Sequence, residues 1–274
     1  MTRRTIVVTG ASDGIGAAAV RRLCRTGENV VIVGRSRDKT RAIAAELGAD
    51  SFVTDFANLA EVRALAQSLR LRYPRIDVLA NNAGGMTSAR DMTIDGYEST
   101  YQVNFLTPFL LTTQLLDLLV GSRATVVNTS SASQKLLRKV TIEDFQRTQM
   151  CRPSKAYALS KLAVILFSVE LHRRFHHDGL SAAAFHPGYV NSNFGPASGS
   201  RFLTFMKKSP AAHLIPTAER GADQLVWLAS SRPGIDWRSG EYYSRHRIAK
   251  ANRQAYDPGL ARALWDRSLA TTAI

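Results

Sequence analysis

The feature that most constrains the fold is a β-branched apolar run, Thr5-Ile6-Val7-Val8-Thr9, that breaks straight into Gly10-Ala11-Ser12-Asp13-Gly14-Ile15-Gly16. The run reads as a strand, and glycines where a strand meets a helix allow a tight turn and a close backbone approach. The same alternation continues along the chain. Strands are expected at Thr5–Thr9, Val30–Val33, Ser51–Val53, Ile76–Ala80 and Ala124–Thr129. Helices are expected near Ile15–Thr26, Arg37–Leu47, Leu59–Leu71 and Gly96–Val120, then a helix near Ser154–Phe175 and a strand at Ser181–Phe185. A helix near Ala218–Ala229 and a strand around Glu241–Tyr243 complete the series. Strands alternating with helices build a parallel sheet with right-handed crossovers and helices on both faces. The expectation is therefore a doubly wound α/β fold over residues 1–274 as one domain. Two stretches interrupt the pattern, 132–152 and 189–216.

A chain of 274 residues that is 45% hydrophobic and 21% charged suits one large α/β core. It has no run of eighteen apolar residues, so no integral membrane segment is expected. Met1-Thr2-Arg3-Arg4 leads directly into the first strand, which leaves no room for a signal peptide. Cys24 and Cys151 lie far apart and show no metal-ligand spacing. A reducing cytoplasm is the simplest setting, and no metal is expected. The net charge of +14 raises nucleic acid as a partner. The Arg and Lys residues are spread along the chain without interleaved stacking aromatics, so no nucleic-acid function is read from them.

Gly10, Gly14 and Gly16 would let the backbone and a helix N-terminus approach a pyrophosphate, where free N–H groups and the positive dipole end favour anions. Ser12, Asp13 and Ile15 belong to the same turn. A carboxylate at the tip of the second strand usually accepts the ribose 2′-hydroxyl of NAD. This chain has Val33-Gly34-Arg35-Ser36-Arg37 there, so Arg35 is expected to pair with a 2′-phosphate, assisted by Arg37 or Ser12. NADP(H) is therefore expected in preference to NAD(H). Asp55, past the third strand, stands where it would touch an adenine amino group or cap a helix.

Tyr157 and Lys161 lie one helical turn apart in Ala-Tyr-Ala-Leu-Ser-Lys. A phenol has a pKa of about 10, and an adjacent ammonium, with an oxidised nicotinamide carrying a second positive charge, is expected to lower it. Tyr157 would then donate a proton to a carbonyl oxygen as hydride arrives from the nicotinamide, or accept one from an alcohol in reverse. Ser131, or its neighbour Ser130, would hydrogen-bond the same oxygen.

With these residues in order, the chain resembles the short-chain dehydrogenase/reductase family along nearly its full length. The matches are Thr9–Gly16, Asn81-Asn82-Ala83-Gly84, Asn104 in Tyr-Gln-Val-Asn-Phe, Ser131 in Val-Asn-Thr-Ser-Ser, and Tyr157 with Lys161. The resemblance implies a Rossmann-like fold, a glycine turn that binds cofactor, and Asn104, Ser131, Tyr157 and Lys161 as the catalytic set. It implies that Asn82, Ala83 and Gly84 steady the central sheet beside the cofactor. Asn104 would bend its helix and hold a water linking Lys161 to solvent, and Lys161 would also grip the nicotinamide ribose. His186-Pro187-Gly188-Tyr189-Val190 matches the segment that packs on the nicotinamide, which places Pro187, Gly188, Val190 and Ser192 at the cofactor. The long spacing between Ser131 and Tyr157 is similar to the retinol-dehydrogenase and protochlorophyllide-reductase-like branch. Asp13 departs from that branch, since some NADPH-preferring members carry a basic residue there, and no N-terminal anchor is seen.

The stretch 189–216 is expected to form a substrate lid. It carries Phe194, Phe202, Leu203, Phe205, Met206, Leu214 and Ile215, with Arg201, Lys207 and Lys208 beside them. An apolar pocket, a subunit interface and a membrane-facing patch all suit that composition. The expected activity is NADPH-dependent reduction of a bulky, largely apolar ketone or aldehyde to its alcohol. Alkene reduction, epimerisation, and a non-catalytic NADP(H)-sensing role on the same fold are the alternatives. The helices near 96–120 and 154–175 often form a four-helix interface in such proteins, which implies a homodimer or homotetramer.

Overall fold

The computed structural model describes residues 3–87, 91–188 and 217–273. Within them the chain opens as β1 (Thr5–Thr9), α1 (Gly14–Arg25), β2 (Asn29–Gly34), α2 (Arg37–Leu47), β3 (Asp50–Val53), α3 (Leu59–Arg72) and β4 (Val78–Asn81). It continues with a single turn α4 (Ser99–Tyr101), a π-turn over Gln102–Leu106, α5 (Thr107–Gln114), α6 (Leu116–Gly121) and β5 (Thr125–Thr129). A 3₁₀ turn at Ala132–Leu136 is followed by α7 (Ile142–Gln146), α8 (Pro153–Phe175) and β6 (Ser181–Phe185). The last part holds α9 (Ala218–Ser230), β7 (Tyr242–Ser244), β8 (Arg247–Ile248), a 3₁₀ turn at Arg253–Tyr256 and α10 (Pro258–Thr272).

The strands form one sheet in the order β3-β2-β1-β4-β5-β6-β7-β8, parallel except for the final β7–β8 pair. Side chains alternate across the pleat and so divide between two cores. Val7, Val31, Val33, Leu79 and Val126 enter the layer formed with α3, α5, α8 and α10. Ile6, Val8, Ile32, Ala80 and Val127 enter the opposite layer, with α1 and α9. The sheet is thus covered on both faces, as a doubly wound α/β fold requires. The chain reverses its winding between β1 and β4, and the crevice beyond their carboxyl ends is where such sheets bind ligands.

The caps explain where helices start. Asn58 starts α3 by accepting from Ala60 and Glu61 N–H groups, and Asp257 with Pro258 starts α10 in the same way. The helix expected over 96–120 is instead broken. Gly96 sits in a turn at φ +80°, Glu98 caps the first turn by accepting from Tyr101 N at 2.7 Å, and the chain widens to a π-turn around Asn104. It breaks again at Leu115, whose φ is −103°. The stretch 132–152 is not a plain loop, because Thr141 and Asp144 form a capping box that starts α7. Three elements were not expected from the sequence, α7, β8 and α10.

Helix α10 packs on α8 and α5. Its Trp265 ring lies 5.2 Å from Phe109, 5.9 Å from Phe167 and 5.9 Å from Phe175, with the Arg174 guanidinium 4.8 Å above it. Apolar surface on α5 and α8 is thereby buried within one chain.

Candidate active site

Everything expected to bind or react, within the described residues, lies at or beyond the carboxyl ends of β1, β2, β3, β4, β5 and β6. The glycine turn is held from behind by the 81–84 segment. Thr9 Oγ1 accepts from the N–H groups of Asn82 and Ala83, both at 3.0 Å, and Asn82 Nδ2 donates to Thr9 O at 3.0 Å. Gly10 has φ +64°, and a Cβ there would stand 2.7 Å from Ala83 Cα, so only glycine serves. Asn81 donates to Thr112 Oγ1 at 3.1 Å and to Asn128 Oδ1 at 2.9 Å, tying β4 to α5 and β5. The sequence gives no hint that Thr9 carries this junction.

Helix α1 begins at Gly14, and Asp13 is its N-cap, accepting from Gly14 N at 2.7 Å. The other Asp13 oxygen meets Lys39 Nζ at 2.6 Å. A carboxylate thus stands at the helix end where a pyrophosphate was expected, with a lysine from α2 beside it. Sequence reasoning missed Lys39, because the pairing joins two elements and has no local signature. Ser12 packs under Gly34 at the end of β2, and Ile15 is half-buried against the α1 layer. Arg35 is exposed and, among the described residues, has no ion pair. Asp55 does not cap α3, since Asn58 does. Asp55 Oδ1 instead accepts from Ala57 N at 3.0 Å, and its own N–H donates to Glu61 at 2.7 Å.

Tyr157 and Lys161 face the end of β5 from α8. Lys161 is 3% exposed, and its ammonium lies 5.6 Å from the Tyr157 ring centre. Among the described residues it has one acceptor, Thr129 O at 3.0 Å. The two serines divide their work. Ser130 is buried and donates to Lys161 O at 2.7 Å, fastening β5 to α8. Ser131 starts the 3₁₀ turn, accepts from Ser133 N at 3.3 Å and hydrogen-bonds Tyr157. Asn104 sits in the π-turn and donates to Gly85 O and Thr100 O, each at 2.6 Å, while its oxygen accepts from Gly85 N at 3.2 Å. A Cβ on Gly84 would come 2.5 Å from Asn104 Oδ1 and 3.3 Å from Lys161 Nζ, so these groups converge on a bare glycine.

The electrostatics differ from the sequence expectation. Burial pushes the Tyr157 phenol up to about 12, opposed by the Ser131 hydrogen bond. Burial also pulls the Lys161 ammonium down to about 7. Desolvation outweighs the attraction between a phenolate and the nearby ammonium, so Lys161 by itself does not bring about the lowering expected with both cations. His186, next to Pro187 and Gly188 at the end of β6, is pulled down to about 4 by burial and then by Lys135 and Arg245. Val190, Ser192 and the whole 189–216 stretch lie outside the described residues.

A dinucleotide fits these residues on one observation. The buried Lys161 ammonium keeps N–H groups beyond the one that Thr129 O accepts, and a ribose diol supplies such acceptors. Among the described residues, no helix is long and apolar enough to cross a membrane.

Comparison with known proteins agrees with this arrangement. The family model for short chain dehydrogenases matches residues 4–200. A Streptomyces sp. (strain C5) protein, provisionally assigned as the daunorubicin C-13 ketoreductase DnrU, is 37% identical over 273 residues, covering 97% of this chain and 92% of that protein. Mouse (Mus musculus) retinol dehydrogenase 14 is 33% identical over 290 residues, covering 98% and 85%. A crystal structure of an uncharacterised Mycobacterium paratuberculosis protein superposes with a TM-score of 0.78 at 32% identity, covering 99% of this chain and 94% of that one. A short chain dehydrogenase from Shigella flexneri 2a, solved with NADP, gives 0.66 at 26% identity, covering 84% and 92%. The chain belongs to the short-chain dehydrogenase/reductase family, in its retinol-dehydrogenase-like branch, and is an NAD(P)-dependent oxidoreductase.

Proposed function

We propose that the protein is an NADPH-dependent reductase of a carbonyl group on a bulky, largely apolar small molecule. The observation that carries this reading is the meeting of Ser131, Tyr157 and a buried, under-partnered Lys161 beside the carboxyl end of β5. Bound nicotinamide supplies the hydride. Tyr157 gives its phenolic proton to the carbonyl oxygen, and Ser131 hydrogen-bonds that oxygen and holds it in line. A phenol held near 12 is protonated at neutral pH, the state in which it has a proton to give to the carbonyl oxygen. Lys161 lies where its charge would stabilise the phenolate left behind, and Asn104 fixes the π-turn that faces it.

Preference for NADPH rests on Arg35, exposed at the tip of β2 where no carboxylate stands, and on Lys39, which neutralises Asp13. Gly10, Ser12, Gly14, Ile15, Gly16, Asp55, Asn82, Ala83, Gly84, Pro187 and Gly188 complete the proposed cofactor site. The ketoreductase name of the Streptomyces relative supports the direction. We read the protein as one domain, cytoplasmic, with 189–216 as its substrate lid. A homo-oligomer would need a surface other than the part of α5 and α8 that α10 occupies, which light scattering checks.

The test is absorbance at 340 nm with NADPH and then NADH against a panel of bulky ketones and aldehydes, with product analysis. Oxidation of NADPH that yields an alcohol and vanishes in Tyr157→Phe supports the reading. A saturated carbonyl product, or turnover that survives in the variant, overturns it.

A further inference from the structure

The turn that begins at Ser131 is gripped by a residue 118 positions further along the chain. Gln134, in that 3₁₀ turn, is fully buried. Its side-chain oxygen accepts from the Asn252 backbone N–H at 2.6 Å, and its backbone carbonyl accepts from Asn252 Nδ2 at 3.1 Å. The same Asn252 amide donates to Leu137 O at 2.8 Å, and its oxygen accepts from Gln254 N at 2.9 Å. One side chain therefore holds both the middle and the far end of the Ser131 turn. Ser131 itself accepts from Ser133 N, one residue before Gln134, so the orientation of its hydroxyl follows that of the turn.

Gln254, two residues away, makes a separate link. It donates to Val140 O at 2.6 Å and accepts from Val140 N at 2.7 Å, beyond the turn. If the lacing served stability alone, the two links would be interchangeable. The geometry sets them apart, because of the two only Asn252 reaches the segment that carries the Ser131 hydroxyl. Tyr242, buried on β7, is a second hydrogen-bond partner of Gln134.

We propose that Asn252 is a positioning residue for the Ser131 hydroxyl, acting through Gln134 and touching neither substrate nor cofactor. This rests on the reading of Ser131 and Tyr157 given above. A serine that holds its place opposes the rise of the Tyr157 phenol, and one that drifts does not. Loss of the clamp should therefore cost kcat, which depends on the Ser131 hydroxyl at the reacting oxygen, and leave cofactor binding alone.

The experiment compares Asn252→Ala, Gln254→Ala, Ser131→Ala and the Asn252→Ala/Ser131→Ala double variant. For each, kcat and KM are measured, with NADPH affinity by fluorescence and Tm. Asn252→Ser, which keeps an oxygen for Gln254 N, replaces the alanine variant if that one does not fold. For Asn252→Ala the expected result is a kcat loss of about tenfold at unchanged NADPH affinity. Gln254→Ala lowers Tm comparably and leaves kcat in place. In the Ser131→Ala background, removing Asn252 lowers kcat no further. A kcat that stays put in Asn252→Ala, that falls equally in Gln254→Ala, or that falls again when Asn252 is removed from the Ser131→Ala background, overturns the proposal. If Ser131→Ala alone keeps full kcat, the reading of Ser131 itself fails, and the positioning role falls with it.

Discussion

The two ends of the sheet treat charge in opposite ways. At the amino end, cations meet carboxylates. Arg4 holds Glu28 through its backbone N–H at 2.9 Å and its guanidinium, Arg72 approaches Asp50 at 3.3 Å, Arg75 meets Asp77 at 2.5 Å, and Arg70 grips Asp117. At the carboxyl end, Arg35, Lys135, Arg138, Arg245 and Arg247 have no ion pair among the described residues. Here the carboxylate of Asp13 is met by Lys39, and among the described residues the buried cation of Lys161 has no carboxylate partner. Five cations without an ion pair among the described residues therefore stand where ligands arrive. Neutralised charge closes a structure, whereas unneutralised charge raises the local concentration of anions such as a dinucleotide.

The largest effect that would sharpen this contrast is at Tyr157. Tyr157→Phe is expected to lower kcat by about a thousandfold while NADPH binding and Tm hold, within the usual range for losing a proton donor. Calorimetric or fluorescence binding beside steady-state kinetics checks it.

Next comes Lys161→Met. A buried lysine pulled down to about 7 loses its proton on folding over the interval between that value and the ordinary lysine value near 10.4. The unfolded state binds more protons there, so this group makes stability rise with pH across the interval, and its destabilisation is complete below about 7. Lys161→Met should therefore gain roughly 2 kcal/mol at and below neutral pH, allowing for the donor lost to Thr129 O, and the gain should fade towards pH ~10. Denaturant titrations at two pH values measure it. An equal gain at both would mean that the ammonium is not held at a depressed pKa.

Arg35→Ala is expected to weaken NADPH binding about tenfold and to leave NADH binding unchanged, the size of one charge-assisted contact. Equal weakening of both would make Arg35 a general attractor and not a reader of the 2′-phosphate. The smallest effect belongs to the amino end. Glu28→Gln should lower stability by about 1 kcal/mol, since the pair is only partly buried, with kcat and cofactor affinity unaltered. A change in turnover there would break the division between the two ends.

Much of the fold could be read from local pattern. The runs at Thr5–Thr9 and Ser181–Phe185 and the helix Arg37–Leu47 have the bounds expected, because strand composition and helix periodicity are properties of neighbours in sequence. Helix α10 also had a local signature, Asp257-Pro258 ahead of Trp265, but it follows several irregular segments and was not assigned. The break around Asn104 was anticipated only through family resemblance, since its cause is a side-chain amide reaching Gly85 across a turn. Within the site, the order of motifs pointed to Tyr157, Lys161 and Ser131. What sequence could not give were quantities set by tertiary burial: the direction of the two pKa shifts, the pairing of Lys39 with Asp13, and the reach of Asn252 to Gln134.

The stretch from α9 to α10 has a mechanical consequence. It lays α9 on one face of the sheet, passes through β7 and β8 at the edge, and returns along the other face as α10, so a single continuous segment straddles both cores like a clasp. Neither layer can open without loosening the segment that also closes the other. The two cores should therefore melt together, in one transition seen alike by tryptophan fluorescence, through Trp265 in one layer and Trp237 in the other, and by far-ultraviolet dichroism.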